Sequence, residues 1–310
     1  MKVLELENVC KNFGPFKVVN NLSFSLKKGE VLGFLGPNGA GKTTTMRMIT
    51  GFLMPSSGYI KINGRNIEIN QLDVKKNIGY VPEGAPLYSE MTVISFLNFI
   101  ADLRLLFGKE RSNRLSYVID KLKIESVLLQ SIETLSKGFK RRVGLAQAIL
   151  HDPEILIFDE PTDGLDPNQK QDVRTLINEM SSEKVIIIST HILEEVDAVC
   201  NRAMIISEGN MLVDDIPSKL ISNYQISTAV KVKINKIANK IVIKELKTIK
   251  DINKVEIKEG FCIAYSKSQK NLMDTIITFI KRKKWTIDYI ENKTVKLEEV
   301  FQSLTKSDKK

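Results

Sequence analysis

The sequence predicts an α/β protein built on a parallel sheet, with a smaller α+β domain after it. Three observations carry that expectation. The stretch Gly36-Pro-Asn-Gly-Ala-Gly-Lys42-Thr43 follows an apolar run, Val31–Leu35, and precedes a helical pattern over Thr44–Thr50. The apolar runs Glu154–Glu160 and Lys184–His191 read as strands buried on both faces, separated by a helical stretch. The composition then changes past Pro217. Residues 217–310 hold 21 Lys/Arg against 10 Asp/Glu, whereas residues 1–216 hold 25 against 27, so the whole +9 net charge lies in the last third.

In chain order, Val3–Val9 and Asn20–Leu26 alternate apolar and polar residues and predict strands, with Lys28-Gly29 turning into the strand at Val31. Pro55–Gly58 predicts a turn and Tyr59–Gly64 a strand entering a hairpin; Ile78–Glu83 predicts a strand stopped by Pro82. From Met91 to Ile149 the apolar spacing turns helical, with helices over Val93–Phe107, Ser112–Leu122 and Phe139–Leu150. Asn168–Ser181 and Ile192–Cys200 predict helices, and Ala203–Ser207 with Asn210–Val213 a hairpin around Glu208-Gly209. Beyond Pro217, strands are expected at Thr228–Ile234, Lys254–Lys258, Phe261–Tyr265 and Trp285–Ile290, with helices at Asn271–Lys283 and Val295–Leu304. The domains expected are 1–217, with a helical subdomain over about 88–150, and 218–310.

Composition narrows the function classes. A chain of 310 residues accommodates two domains of roughly 100–200 residues each. No apolar run approaches the roughly 18–20 residues of a membrane span, and Met1–Glu7 lacks the apolar core of a signal peptide. The expectation is a soluble, cytoplasmic protein. Cys10, Cys200 and Cys262 are odd in number and lack Cys-x-x-Cys spacing, which predicts buried thiols rather than a disulfide framework or zinc site. The basic tail suits either an anionic partner or a Lys-rich solvated surface.

The chemistry concentrates on phosphate. Gly36, Gly41, Lys42 and Thr43 occupy the fixed positions of a phosphate-binding loop. Its glycines let successive N–H groups point at one anion, and the following helix N-terminus adds partial positive charge. Lys42 is expected to reach the β- and γ-phosphates, and the Thr43 hydroxyl to ligate Mg²⁺. Asp159 and Glu160 end an apolar strand: Asp159 is expected to hold Mg²⁺ and Glu160 to polarise the attacking water. His191 ends the next strand, at the sheet edge where ligands bind in such folds. His151, before Asp152-Pro153, reads as structural. Phe13 reads either as core or as an aromatic stacked on an adenine.

These motifs together resemble the ATP-binding subunit of an ABC transporter, and residues 1–216 cover that domain in order. The resemblance rests on the loop Gly36–Thr43, Asp159-Glu160, Gly164-Leu-Asp166, His191, and Leu135-Ser-Lys-Gly-Phe139 in place of the family's Leu-Ser-Gly-Gly-Gln signature. It implies the ABC type of P-loop NTPase core, with an N-terminal antiparallel β subdomain and a helical subdomain. It also implies ATP and Mg²⁺ as ligands. Nucleotide-binding residues would be Phe13, Gly36, Pro37, Asn38, Gly39, Ala40, Gly41, Lys42, Thr43, Thr44 and Asp166, with Ser136 and Gly138 acting across a head-to-tail homodimer. Lys137 and Phe139 depart from the signature but keep its serine and second glycine. Glu83 replaces the family's usual glutamine near Mg²⁺, so that metal contacts would come from Thr43, Asp159 and Glu83. Glu83, the altered signature and the ending Lys296–Thr305 resemble the ABC-2-type exporter branch; Leu165–Gln169 resembles its gliding-motility-type ATPases. The resemblance therefore implies export through a separate polytopic membrane subunit, at the cytoplasmic face of the inner membrane. That subunit would meet the surface around Gly84–Thr92. Nucleic acid is not expected as a partner: the chain has one such domain and no room for a long coiled-coil insertion.

Overall fold

The computed structural model describes residues 2–69, 71–84, 86–223, 229–267, 272–293, 301 and 304–305. The chain divides into two compact units, Met1–Asp215 and Ile216–Lys310.

In the first unit, β1 (Lys2–Phe13) and β2 (Phe16–Lys27) form a long hairpin, and β4 (Ser57–Ile62) and β5 (Arg65–Asn66) extend it into a four-stranded antiparallel sheet in the order β2-β1-β4-β5. The second sheet contains β3 (Val31–Leu35), β6 (Ile78–Val81), β7 (Ile155–Asp159), β8 (Val185–Thr190), β9 (Arg202–Ser207) and β10 (Asn210–Asp215). Its order is β10-β9-β3-β8-β7-β6, parallel throughout except for the edge hairpin β9–β10.

The apolar runs of β3, β7 and β8 have a simple cause: the sheet separates two cores and strand residues alternate between them. Leu32, Phe34, Ile155, Ile157, Val185 and Ile187 enter the core shared with the antiparallel sheet and α1 (Lys42–Ile49). Leu156, Phe158, Ile186 and Ile188 enter the opposite one, shared with α3 (Val93–Leu103), α4 (Gly108–Leu122), α5 (Lys137–Ile149) and α6 (Pro167–Ser181). Each fully buried Leu or Ile contributes about 1.5–3 kcal/mol, so these strands tolerate almost no polar residue before their C-terminal ends. Two further helices, α2 (Gln71–Lys76) and α7 (Leu193–Val199), complete the unit.

The second unit opens with α8 (Pro217–Asn223) and then runs β11 (Ala229–Ile234), α9 (Asn239–Leu246), β12 (Ile252–Lys258), β13 (Phe261–Ser266), α10 (Met273–Arg282) and β14 (Ile287–Lys293). These strands form an antiparallel sheet in the order β12-β13-β11-β14. Cys262 and Ala264 of β13 join Val242, Leu246, Ile276 and Ile280 of the two helices in one core. Lys231 lies 4.0 Å from the centre of the Phe261 ring.

The short helices α2, α8 and α9 were not expected. Each has eight residues or fewer, too short to show a periodicity. The hairpin strands β1 and β2 run longer than Val3–Val9 and Asn20–Leu26, because several register shifts keep them paired past their irregular stretches. The expected helix Val295–Leu304 and the stretch Lys296–Thr305 lie largely outside the described residues. The three cysteines are free; Cys262 is buried, but Cys10 and Cys200 are only partly so, which corrects the expectation of three buried thiols.

Candidate active site

Strand register assembles the site. Leu35, the last residue of β3, pairs with Thr190 of β8, and Asp159 of β7 pairs with Ser189. Three adjacent parallel strands therefore end at one level. The phosphate loop, Glu160 and His191 leave the sheet from these three ends.

The loop from Gly36 to Gly41 depends on missing Cβ atoms at two places. Gly41 caps α1 in the left-handed region at φ 101°, and a Cβ there would lie 2.7 Å from the Val18 carbonyl oxygen. A Cβ on Gly36 would lie 2.6 Å from the Ile206 carbonyl oxygen. Strands β2 and β9 thus press on the loop from outside and hold its curl. Lys42 is buried, and its Nζ donates to the carbonyls of Gly36 at 2.7 Å and Pro37 at 3.3 Å. Burial pulls the Lys42 ammonium below its ordinary value, while the charges of Glu160, Asp159 and Glu83 oppose the shift. The Thr45 hydroxyl donates to the Gly41 carbonyl at 2.9 Å, securing the first turn of α1.

Asp159 is 1% exposed, and neither carboxylate oxygen has a hydrogen-bond partner. A buried carboxylate without a donor is costly, and a cation would offset that cost. Among the described residues no group of three or more His, Cys, Asp or Glu is set to hold an ion by itself. An ion here would accordingly draw on hydroxyl and phosphate oxygens as well. Asp159, with the Thr43 hydroxyl one residue beyond Lys42, fits hard-cation chemistry. Glu83 lies exposed on the turn after β6.

Glu160 sits at φ 50°, an uncommon conformation for a residue with a side chain. Its Oε1 is 2.9 Å from Nδ1 of His191, and its N–H donates to the Ser189 carbonyl at 2.8 Å. Its Oε2 lies 3.3 Å from the Thr190 hydroxyl, which is also 3.0 Å from Oε2 of Glu195. Glu195 is buried, its Oε1 has no partner, and burial pushes its carboxyl above the usual range. The Glu160 carbonyl accepts from Arg141 Nη2 at 2.5 Å.

The remaining expected residues lie apart from this cluster. Ser136 is the N-cap of α5, its Oγ accepting from Phe139 N at 3.3 Å, and Asp166 caps α6 in a reciprocal capping box with Gln169. Gly138 lies against Gln169: a Cβ on it would come within 2.5 Å of the amide. Among the described residues, Ser136, Gly138 and Asp166 make no hydrogen bond to the phosphate loop. Phe13 ends β1 at the hairpin tip, 47% exposed, with Lys11 Nζ 5.4 Å from its ring centre. That exposure disfavours the core reading. His151 is half-buried with Nε2 3.1 Å from the Ile78 carbonyl oxygen, and burial lowers its pKa to about 3, so the ring is neutral.

Sequence reasoning missed Arg141, Thr190, Glu195 and Gln169. Lys140-Arg-Arg142 has the look of a solvated basic run, and Glu194-Glu195 of an exposed acidic first turn. Helical phase relative to the buried face was the only signal available for Arg141 and Glu195.

Residues 19–163 match the ABC transporter family. The chain is 34% identical over 258 residues to the linearmycin resistance ATP-binding protein LnrL of Bacillus subtilis, covering 83% of each. It is 36% identical over 217 residues to the bacitracin transport ATP-binding protein BcrA of Bacillus licheniformis, covering 69% of this chain and 70% of that one. A solved ATP-binding subunit of an ABC transporter superposes with a TM-score of 0.67 at 29% identity, covering 72% of this chain and 93% of the other.

Proposed function

The chain belongs to the ABC transporter family as an ATP-binding, ATP-hydrolysing subunit, and on that premise we propose that it powers export through a separate ABC-2-type membrane subunit. In this reading two copies pair head to tail around two Mg-ATP molecules at the cytoplasmic face of the inner membrane. The observation that carries the catalytic part is the cluster at the strand ends, where buried Lys42, unpartnered Asp159 and a Glu160–His191 pair meet. The loop amides and Lys42 bind the β- and γ-phosphates. Thr43 and Asp159 hold Mg²⁺, with Glu83 reaching it from its turn; bound there, the ion neutralises charge on the phosphate oxygens. Glu160 orients the attacking water and accepts its proton. Because His191 Nδ1 is engaged by Glu160, the opposite ring nitrogen is left for the γ-phosphate. Phe13 stacks on the adenine, Asp166 adds to the nucleotide site, and Ser136 and Gly138 serve the partner copy's nucleotide.

No described helix is long and apolar enough to cross a membrane, consistent with a membrane path in another polypeptide. Tyr88 is exposed, and an exposed aromatic side chain within Gly84–Thr92 suits contact with such a subunit. The names of LnrL and BcrA, concerned with linearmycin resistance and bacitracin transport, support an exporter.

Glu160→Gln tests the reading. Turnover should fall by about 10²–10⁴ with ATP binding retained, and ATP should convert the variant from monomer to dimer on a sizing column. Wild-type turnover would remove Glu160 from the mechanism, and a persistent monomer would count against the pair. Glu83→Gln should raise the Mg²⁺ concentration for half-maximal ATPase activity by a few-fold; an unmoved titration removes Glu83 from the metal. Recovery from membranes with a polytopic subunit is expected, and with ribosomes or DNA instead would overturn the transport assignment.

A further inference from the structure

We propose that Arg141 is a positioning residue for hydrolysis: it holds the backbone of Glu160 in its left-handed conformation and ties the Ser136 helix to that backbone. The inference rests on the reading of Glu160 as the residue that orients water.

Arg141 lies in the second turn of α5, the helix that Ser136 caps, and is 5% exposed. Its neighbours on either side point elsewhere. Lys140 Nζ donates to the Glu133 carbonyl at 2.9 Å, and Arg142 Nη2 pairs with Asp172 at 2.9 Å. Arg141 alone of the three turns inward, where its Nη2 meets the Glu160 carbonyl at 2.5 Å. Its Nη1 is buried with no partner. The negative charges acting on it are Asp163, Asp159, Glu160 and Glu83.

Glu160 needs such a tether. A non-glycine residue in the left-handed region is strained and persists only where its surroundings over-determine it. Its N–H is fixed by the Ser189 carbonyl of β8, and its C=O by Arg141 of α5 at 2.5 Å and by the longer turn bond from the Asp163 N–H at 3.3 Å. Between those anchors the side chain leaves toward His191 and Thr190. With Arg141 gone, only the longer bond from Asp163 holds the carbonyl, so the peptide can shift toward an ordinary conformation and the carboxylate moves with it. Misplacement by about 1 Å can cost roughly 10²-fold in rate. Because Arg141 bonds the carbonyl and not the carboxylate, the effect passes through Glu160. Because the anchor sits on α5, any shift of that helix is felt directly at Glu160.

The test is a mutant cycle in the full chain. Arg141→Met should lower kcat for ATP by about 10–100-fold with KM within about twofold, and Arg141→Lys, which keeps charge without the planar fork, should recover part of the loss. In a Glu160→Gln background, Arg141→Met should cause no further fall in single-turnover rate. Unchanged kcat, a loss confined to KM, or a loss that multiplies with that of Glu160→Gln would each overturn the proposal. If Arg141→Met does not fold, Arg141→Lys decides: wild-type kcat overturns it, and reduced kcat at unchanged KM supports it. Wild-type turnover in Glu160→Gln by itself would instead defeat the reading of Glu160. Loss in Glu160→Gln with none in Arg141→Met would defeat this inference alone.

Discussion

The two units differ in how they treat buried polar atoms. In the first, Arg141, Asp159, Thr162, Ser189 and Glu195 all carry buried side-chain atoms without partners, together with His151 and Arg174. Among the described residues the second unit has none, although it is far more charged on balance. Its core is built of Val, Ile, Leu and Ala side chains with Cys262. A fold that only has to be stable satisfies its buried donors and acceptors. Most of the unpartnered atoms in the first unit crowd around Asp159 and Glu160, where a substrate and a cation would complete them. Tyr80 shows the same field, its phenol pushed up to about 12 by burial and then by Asp159. Unsatisfied polarity, and not net charge, separates the working unit from its neighbour.

The largest effect expected on ATP affinity comes from filling the phosphate loop. Gly41→Ala puts a Cβ 2.7 Å from a backbone oxygen at φ 101°. Strain of about 1–3 kcal/mol corresponds to roughly 5–140-fold at 1.4 kcal/mol per tenfold. ATP affinity by titration calorimetry should fall by about that factor; wild-type affinity would show that the loop does not need this curl.

A smaller effect sharpens the link between unpartnered atoms and stability. Burial raises the Glu195 carboxyl; Lys170 and Arg174 lower it, Glu160 raises it, and the Thr190 hydroxyl bond lowers it. A pKa raised on folding contributes stability that is present below the unfolded value and is lost as pH rises through the folded one. Glu195→Gln does not titrate. Its Tm should therefore gain on that of the wild type as pH rises from about 5 to 8, since the usual Glu value is near 4.3. A constant difference across that range would mean that Glu195 is ionised throughout.

The smallest effect is the one expected from removing the second unit. Every candidate phosphate contact lies before residue 217, so a folded 1–217 fragment should bind ATP within about twofold of the full chain. A folded fragment that has lost ATP binding would break the comparison, by showing that the basic unit serves the nucleotide site.

The sequence by itself determined the phosphate loop, the strand ends at Asp159-Glu160 and His191, and the helical region between β6 and β7. Each is written in a local pattern: glycines at fixed spacing, an apolar run that stops at a charge, or a periodicity sustained over ten residues or more. The family followed from those patterns in combination. Only the tertiary structure decided that Arg141 faces inward while Lys140 and Arg142 do not, that Thr190 stands between Glu195 and Glu160, and that Gly138 makes room for Gln169. These are properties of burial, and burial at one residue is set by chain segments far from it in sequence. A basic run or an acidic pair looks the same on paper whether it meets water or the inside of a site. The second unit divides similarly: its strands alternate legibly, whereas α9, eight residues long, exists because Val242 and Leu246 find a core to enter. A helix that short is marginal in water without such packing.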